Sequence, residues 1–198
     1  MSAESGPPLD VRAVVAALQR HGVAFVAVGG MAAVWHGAQR ATNDFDLCPA
    51  WDPQNLELLA RALEELDARL LVPDGPPEGI DVPIDGRFLA AMELSTWRTA
   101  AGDVDVVLGI PRDRRWNLAR FEYLQRGGTR AQLEGAGVTL ASLEDIVRSK
   151  EVSDRPSDHD ALPELRALLR KQARRAPVRT DRTCGPPDHR RKPPKAGM

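Results

Sequence analysis

The order of elements predicts an α/β (α+β) domain, a small mixed sheet flanked by helices, with a helical segment at its C-terminal end. Three observations carry this. Apolar positions recur at helical spacing in "LDVRAVVAALQRHG" and "DPQNLELLARALEELDARL", and short apolar runs bounded by turn residues read as strands in "VAFVAVGG", "NDFDLCP" and "DVDVVLGI". Helical and strand patterns alternate as far as residue 140, and only helical ones follow Ser142. Internal repeats are absent.

Each element has a local reason. Asp10 caps the first helix and Gly22 closes it, with Val11, Val14, Val15 and Leu18 on one face. "VAFVAVGG" is a buried strand ending in two glycines, "MAAVWHG" a short helix closed by Gly37, and "NDFDLCP" a short strand stopped by Pro49. Asp52 and Pro53 open the clearest helix, expected to run to Leu70. "VPDGPPEGIDVPIDG" is a loop by its Pro, Gly and Asp content. Two strands, "ELSTWRTAAG" and "DVDVVLGI", meet at a tight turn at Ala101–Gly102. A helix is expected around "RRWNLARFEYLQR", ending at Gly127, and a strand through "AGVTLAS". Ser142 opens "SLEDIVRSKEV", whose Glu144 and Asp145 suit a helix N-terminus. Pro156 interrupts, and "DALPELRALLRKQARR" completes the ordered part.

The expected organisation is a core over 1–140, a C-terminal helical segment over 141–175, and a disordered, basic, Pro-rich tail over 176–198. Lys and Arg number 27 against 28 for Asp and Glu, so overall charge selects no partner. Cys48 and Cys184 are too few and too far apart for a disulfide framework, which suits a reducing cytoplasm. "MSAESGPPLD" lacks the basic flank and apolar stretch of a signal peptide, and no apolar run is long enough to span a membrane. A cytoplasmic location is expected.

Chemistry concentrates in "GGMAAVWHGAQRATNDFDL". Alternate residues of a strand share a face, so Asp44 and Asp46 project together, roughly 6.6 Å apart along the backbone. Phe45 and Leu47 face the core. Two converging carboxylates can hold a divalent metal and bridge to a second, and Mg²⁺ suits such hard oxygen donors. "DVDVV" offers a third carboxylate. Asp105 is preferred because it lies deeper among apolar residues, with Asp103 beside the Gly102 turn as the alternative. Taken alone, a lone Asp-x-Asp is usually surface decoration, and Gly29-Gly30 is often only a turn into a helix. Their combination at short fixed spacing is the informative signal.

That combination resembles the DNA polymerase beta-like nucleotidyltransferase superfamily. Within it, the Gly-Gly-x-Ala, the Gly and the Arg-x-Thr-x-Asp-x-Asp block look like the AbiEii and MenT-type toxin nucleotidyltransferases. "AGDVDVV" matches the strand of the third acid, and "SLEDIVRSKEVSDRPSDHDALPEL" is similar to a C-terminal element carrying Lys150, Arg155, Asp158 and Asp160. The resemblance spans residues 23 to 168. Asp154 stands where those relatives often carry Gly, and Ser157 where they often carry Lys.

The resemblance implies a nucleotidyltransferase fold and transfer of a nucleoside monophosphate from an NTP to an acceptor hydroxyl, by a toxin acting on a tRNA 3′ end and held by an antitoxin. Asp44, Asp46 and Asp105 would hold two Mg²⁺ ions, with Mn²⁺ as a substitute. Gly29 and Gly30 would meet the triphosphate through backbone N–H groups. Lys150 would reach the β- and γ-oxygens, Arg155 would clamp phosphate, and Asp158 would orient either cation. Arg40 and Thr42 complete the expected nucleotide site. For Lys150 the bland reading is an exposed lysine in a last helical turn; for Arg40 it is an ion pair at the rim, and for Thr42 a local hydrogen bond. Alternatives are a small-molecule, antibiotic-type nucleotidyltransferase and a catalytically degenerate member that binds nucleotide or a partner.

Other chemistries lack support. His21, His36, His159 and His189 show no metal-ligand spacing, and no Walker loop, nucleophile elbow or dinucleotide fingerprint occurs. Trp35, Trp97 and Trp116 are better read as packing than as base-stacking platforms, with stacking of one of them on a nucleobase as the alternative.

Overall fold

Asp10 accepts a hydrogen bond from Ala13 N (3.0 Å) and opens α1 (Val11–Arg20), whose Val14, Val15, Ala17 and Leu18 are buried. The structure is a computed structural model, described here over residues 6–39, 42–133 and 135–175. β1 (Phe25–Ala27) runs into α2 (Gly29–Trp35), and β2 (Asp44–Pro49) follows. Asn55, at the start of α3 (Pro53–Glu65), is buried and bonds to Ala24 N, Ala24 O and Ala50 O, tying the ends of β1 and β2 to that helix.

Next come β3 (Arg69–Leu71), α4 (Gly86–Ala90), β4 (Leu94–Thr99) and β5 (Gly102–Val107). The short hairpin β6 (Ile110–Pro111) and β7 (Leu118–Ala119) precedes α5 (Phe121–Gly127). β8 (Thr129–Leu133), β9 (Ala136–Leu140), α6 (Leu143–Ser153) and α7 (Pro156–Arg175) complete the described chain.

Seven strands form one mixed sheet in the order β3-β4-β5-β2-β1-β9-β8. β2 lies at its centre, antiparallel to β1 and parallel to β5. Its burial alternates as expected: Phe45 and Leu47 are wholly buried while Asp44 and Asp46 are partly open on the other face. Helices pack on this frame, and α6 and α7 pack on each other. Cys48 is a free, buried thiol whose burial pushes its pKa up to about 12, so it is inert. No helix among the described residues is long and apolar enough to cross a membrane.

Three local expectations are corrected. The third helix ends at Glu65 rather than Leu70, because Asp67 adopts a left-handed conformation (φ 54°) and Leu70 pairs with Trp97 in the β3–β4 ladder. The helix around 114–126 begins only at Phe121. Upstream, Asp113 captures Arg115 N (2.9 Å) and Asn117 N (3.3 Å), closing the β6–β7 turn instead. The polar "TRAQL", for which the sequence carries no expectation, is a strand laddered with β9. A short helix, α4, also lies at the end of the expected loop, with Asp85 accepting from Phe88 N (2.7 Å). The tail over 176–198 lies outside the described residues.

Candidate active site

The parallel β2–β5 ladder sets Asp46 opposite Asp105 and Asp44 opposite Asp103. Asp44, Asp46 and Asp105 each bring an oxygen to within 4.8 Å of the others. Asp103, although on the same face as Asp105, turns away: Arg98 grips both its oxygens at 3.0 Å. The third carboxylate of the cluster is therefore Asp105.

These acids repel one another in a poorly hydrated place. Burial, then the nearby charges of Asp44 and Asp105, push Asp46 up to about 7; Gly30 N–H and Lys150 pull in the opposite direction. Asp105 is raised as well, chiefly by burial, against a hydrogen bond from Thr96. Its Oδ1 is buried and accepts no hydrogen bond among the described residues. An all-carboxylate donor set with one orphaned buried oxygen fits a hard divalent cation. The glycines preserve the space: at Gly29 (φ 58°) an added Cβ would lie 2.0 Å from Asp46 Oδ2, and at Gly30 2.6 Å from Thr42 Oγ1.

The other expected residues converge on the same cleft, of about 520 Å³, with Lys150, Arg155 and Asp158 on its helical wall. Lys150 is in the last turn of α6, and Asp158 in the first turn of α7. Asp154, in the left-handed region at φ 52°, ends α6 and lets the chain reverse before Pro156. That conformation is why Gly is at home there and why Asp is tolerated. The bend brings Lys150 Nζ to 2.7 Å from Asp158 Oδ1, while Asp158 Oδ2 accepts from Arg155 N (3.3 Å). Asp158 is buried, so it holds Lys150 facing the acids. Arg155 is exposed, and its charge favours ionised Asp105.

Gly29 and Gly30 line the cleft, and Gly30 N donates to Asp46 Oδ2 (3.2 Å). Thr42 Oγ1 donates to Asp44 Oδ1 (2.6 Å), which orients that carboxylate. Arg40 lies outside the described residues. Asp160 is exposed, and Asp154 pairs with His159 Nε2 (2.6 Å) rather than facing the acids. His36 bonds Ala141 O (2.9 Å), an ordinary structural role.

Glu93, Leu94, Leu118 and Trp116 also line the cleft, beyond the residues expected there, and Trp116 is 60% exposed rather than packed. Trp97, by contrast, is wholly buried, as expected. The signal available in the sequence was "DRRWN", an Asp and an Asn bracketing a turn with an aromatic at its tip.

No family model and no curated protein matches the chain. Solved structures do. Lincosamide antibiotic adenylyltransferase LnuA, crystallised with lincomycin bound, is similar with a TM-score of 0.53 at 14% identity, over 81% of this chain and 99% of that one. The antibiotic-resistance factor ANT(2'')-Ia matches at 18% identity and a TM-score of 0.45, over 83% of this chain and 91% of that one. A putative nucleotidyltransferase of Thermotoga maritima, TM1012, matches at 13% identity and a TM-score of 0.43, over 83% and 87%. The likeness to LnuA, along nearly the whole of that chain, is one of fold: the polypeptide has the nucleotidyltransferase fold.

Proposed function

We propose that the protein is a metal-dependent nucleotidyltransferase that moves a nucleoside monophosphate from an NTP to an acceptor hydroxyl. The observation that carries this is the convergence of Asp44, Asp46 and Asp105 beside Gly29 and Lys150. Asp44, Asp46 and Asp105 would hold the Mg²⁺ ions, which when bound neutralise charge building on the reacting phosphate. Lys150, aimed by Asp158, meets the β- and γ-phosphate oxygens, and Arg155 adds a forked cation at the rim. Asp105 also orients the acceptor hydroxyl and takes its proton. The acceptor oxygen bonds to the α-phosphorus, the bond to the β-phosphate oxygen breaks, and pyrophosphate leaves.

In this reading the acceptor is an RNA 3′ end, in tRNA as the sequence resemblance implies, and the protein is the toxin of a toxin–antitoxin pair acting in the cytoplasm. The domain division follows: the core over 1–140 carries the acids and the helical segment over 141–175 supplies Lys150, Arg155 and Asp158. A second reading keeps the chemistry and changes the acceptor to a small molecule. A cleft of about 520 Å³ with apolar Leu94 and Leu118 in its wall is of the size that holds one. Incubation with each labelled NTP, Mg²⁺ and total RNA tests the first reading. Label is expected in RNA with the wild-type protein and absent with Asp46→Ala; equal labelling by both proteins rejects the site.

A further inference from the structure

The β6–β7 turn holds an aromatic ring outward at the mouth of the cleft. Trp116 adopts a left-handed backbone (φ 59°), which disfavours a bulky residue, and is 60% exposed. Neither feature helps a core. The turn is nevertheless well built: Asp113 accepts from Arg115 N (2.9 Å), Asn117 N (3.3 Å) and Asn117 Nδ2 (2.8 Å), Trp116 N donates to Asp113 O (2.9 Å), and Arg112 N donates to Asn117 O (2.8 Å). Those bonds hold the turn in a conformation that keeps the Trp116 side chain outward rather than in the core.

Its neighbours are cationic. Arg114 and Arg115 precede Trp116 and are exposed, while Arg112 lies over the Tyr123 ring at 4.5 Å. Arg120, directly after β7, is exposed too. Against them stand Asp113, occupied with the turn, exposed Glu122, and Glu93 on the cleft wall. Exposed arginines interleaved with an exposed aromatic ring match a single-stranded polyanion whose unpaired bases can stack.

We propose that the β6–β7 tip is the acceptor-docking element: the ring of Trp116 stacks on an unpaired base near the 3′ end of a single-stranded RNA, and Arg114 and Arg115 hold the adjoining phosphates. This deepens, and rests on, the RNA-acceptor reading above. It divides the lining of one cleft between two tasks, Lys150 and Arg155 taking the triphosphate and Trp116 the acceptor.

The test is fluorescence anisotropy of a short labelled single-stranded RNA, with a duplex of the same length as control, against the full-length protein. NTP binding is measured separately on each variant. Trp116→Ala is expected to weaken single-strand binding about tenfold. Trp116→Phe should restore most of it, with NTP affinity unchanged in both. Replacing Arg114 and Arg115 with Ala should flatten the salt dependence by about two counterions. The proposal is overturned if wild type fails to bind the single strand or prefers the duplex. It is overturned equally if Trp116→Ala leaves RNA affinity intact, if Phe fails to restore it, or if the variant loses NTP affinity instead. Transfer is assayed apart from binding. Wild-type protein that captures RNA through Trp116 but transfers no nucleotide would sink the proposed reaction and leave the docking element standing.

Discussion

Asp103 and Asp105 stand on one face of one strand, two positions apart, and are treated oppositely by their surroundings. At the turn end of β5, Arg98 neutralises Asp103 with two hydrogen bonds of 3.0 Å. At the cleft end, Asp105 faces Asp44 and Asp46 and keeps a buried oxygen without a hydrogen bond among the described residues. A carboxylate that only supports the fold has its charge answered by the protein. Asp105 is answered only in part, by a hydrogen bond from Thr96 and the charge of Arg155, which leaves an oxygen for a cation from outside.

Removing an acid from the cluster has the largest expected effect. Asp46→Ala or Asp105→Asn should lower nucleotidyl transfer by about a thousandfold, since a metal clamp supplies several kcal/mol of transition-state stabilisation. Asp105→Asn should at the same time raise the melting temperature of metal-free protein, because a repelling buried charge is gone. Thermal melts in chelator check that second half.

Gly29→Ala comes next. Its Cβ would collide with the Asp46 carboxylate at a φ that only glycine adopts freely, so transfer should fall about a hundredfold through misplacement alone. Steady-state assays beside Gly22→Ala, where φ is also positive but nothing lies within 4 Å, separate collision from backbone strain.

Lys150→Ala should raise KM for the NTP about tenfold, the worth of one charge-assisted hydrogen bond of about 1.5 kcal/mol. Asp158→Asn acts by releasing Lys150 and should give a smaller rise, recoverable in part by higher NTP concentration.

The pH dependence follows from Asp46. Its folded-state pKa is raised to about 7, so the folded protein retains a proton that the unfolded chain has already lost. This contribution to stability is complete below the unfolded value of about 4 and is lost as pH rises through 7. Metal-free protein should therefore tolerate less urea at pH 8 than at pH 5, and Asp46→Asn should reduce that difference. The smallest effect belongs to the paired acid: Asp103→Asn should cost about 1 kcal/mol of stability and leave transfer intact.

Much of this was legible in the sequence because it is local. Alternation along a strand put Asp44 and Asp46 on one face, and Asp10, Asp52 and Ser142 announced helix starts that their side chains do cap. Depth along the strand favours Asp105 over Asp103, whereas what sets the two apart in the fold is Arg98, a cross-strand neighbour that no spacing along β5 reveals. The Lys150–Asp158 contact is legible in outline, because Pro156 implies a bend between them, while the left-handed Asp154 that makes the turn is not. "RRWNLARFEYLQR" was misread because helix-compatible residues after Asp113 yielded to that residue's own side-chain bonds. "TRAQL" has too little apolar character to declare itself and takes its strand form from β9.

The side-by-side pairing of β2 with β5 has a consequence for how the protein comes into being. All of α3, β3, α4 and β4 must be synthesised and set aside before the last acid can join the first two. Long-range parallel pairing of this kind is slow to form. No nascent or clipped chain ending short of β5 can possess the cluster, so any chemistry that depends on it begins only when the sheet has closed around its middle.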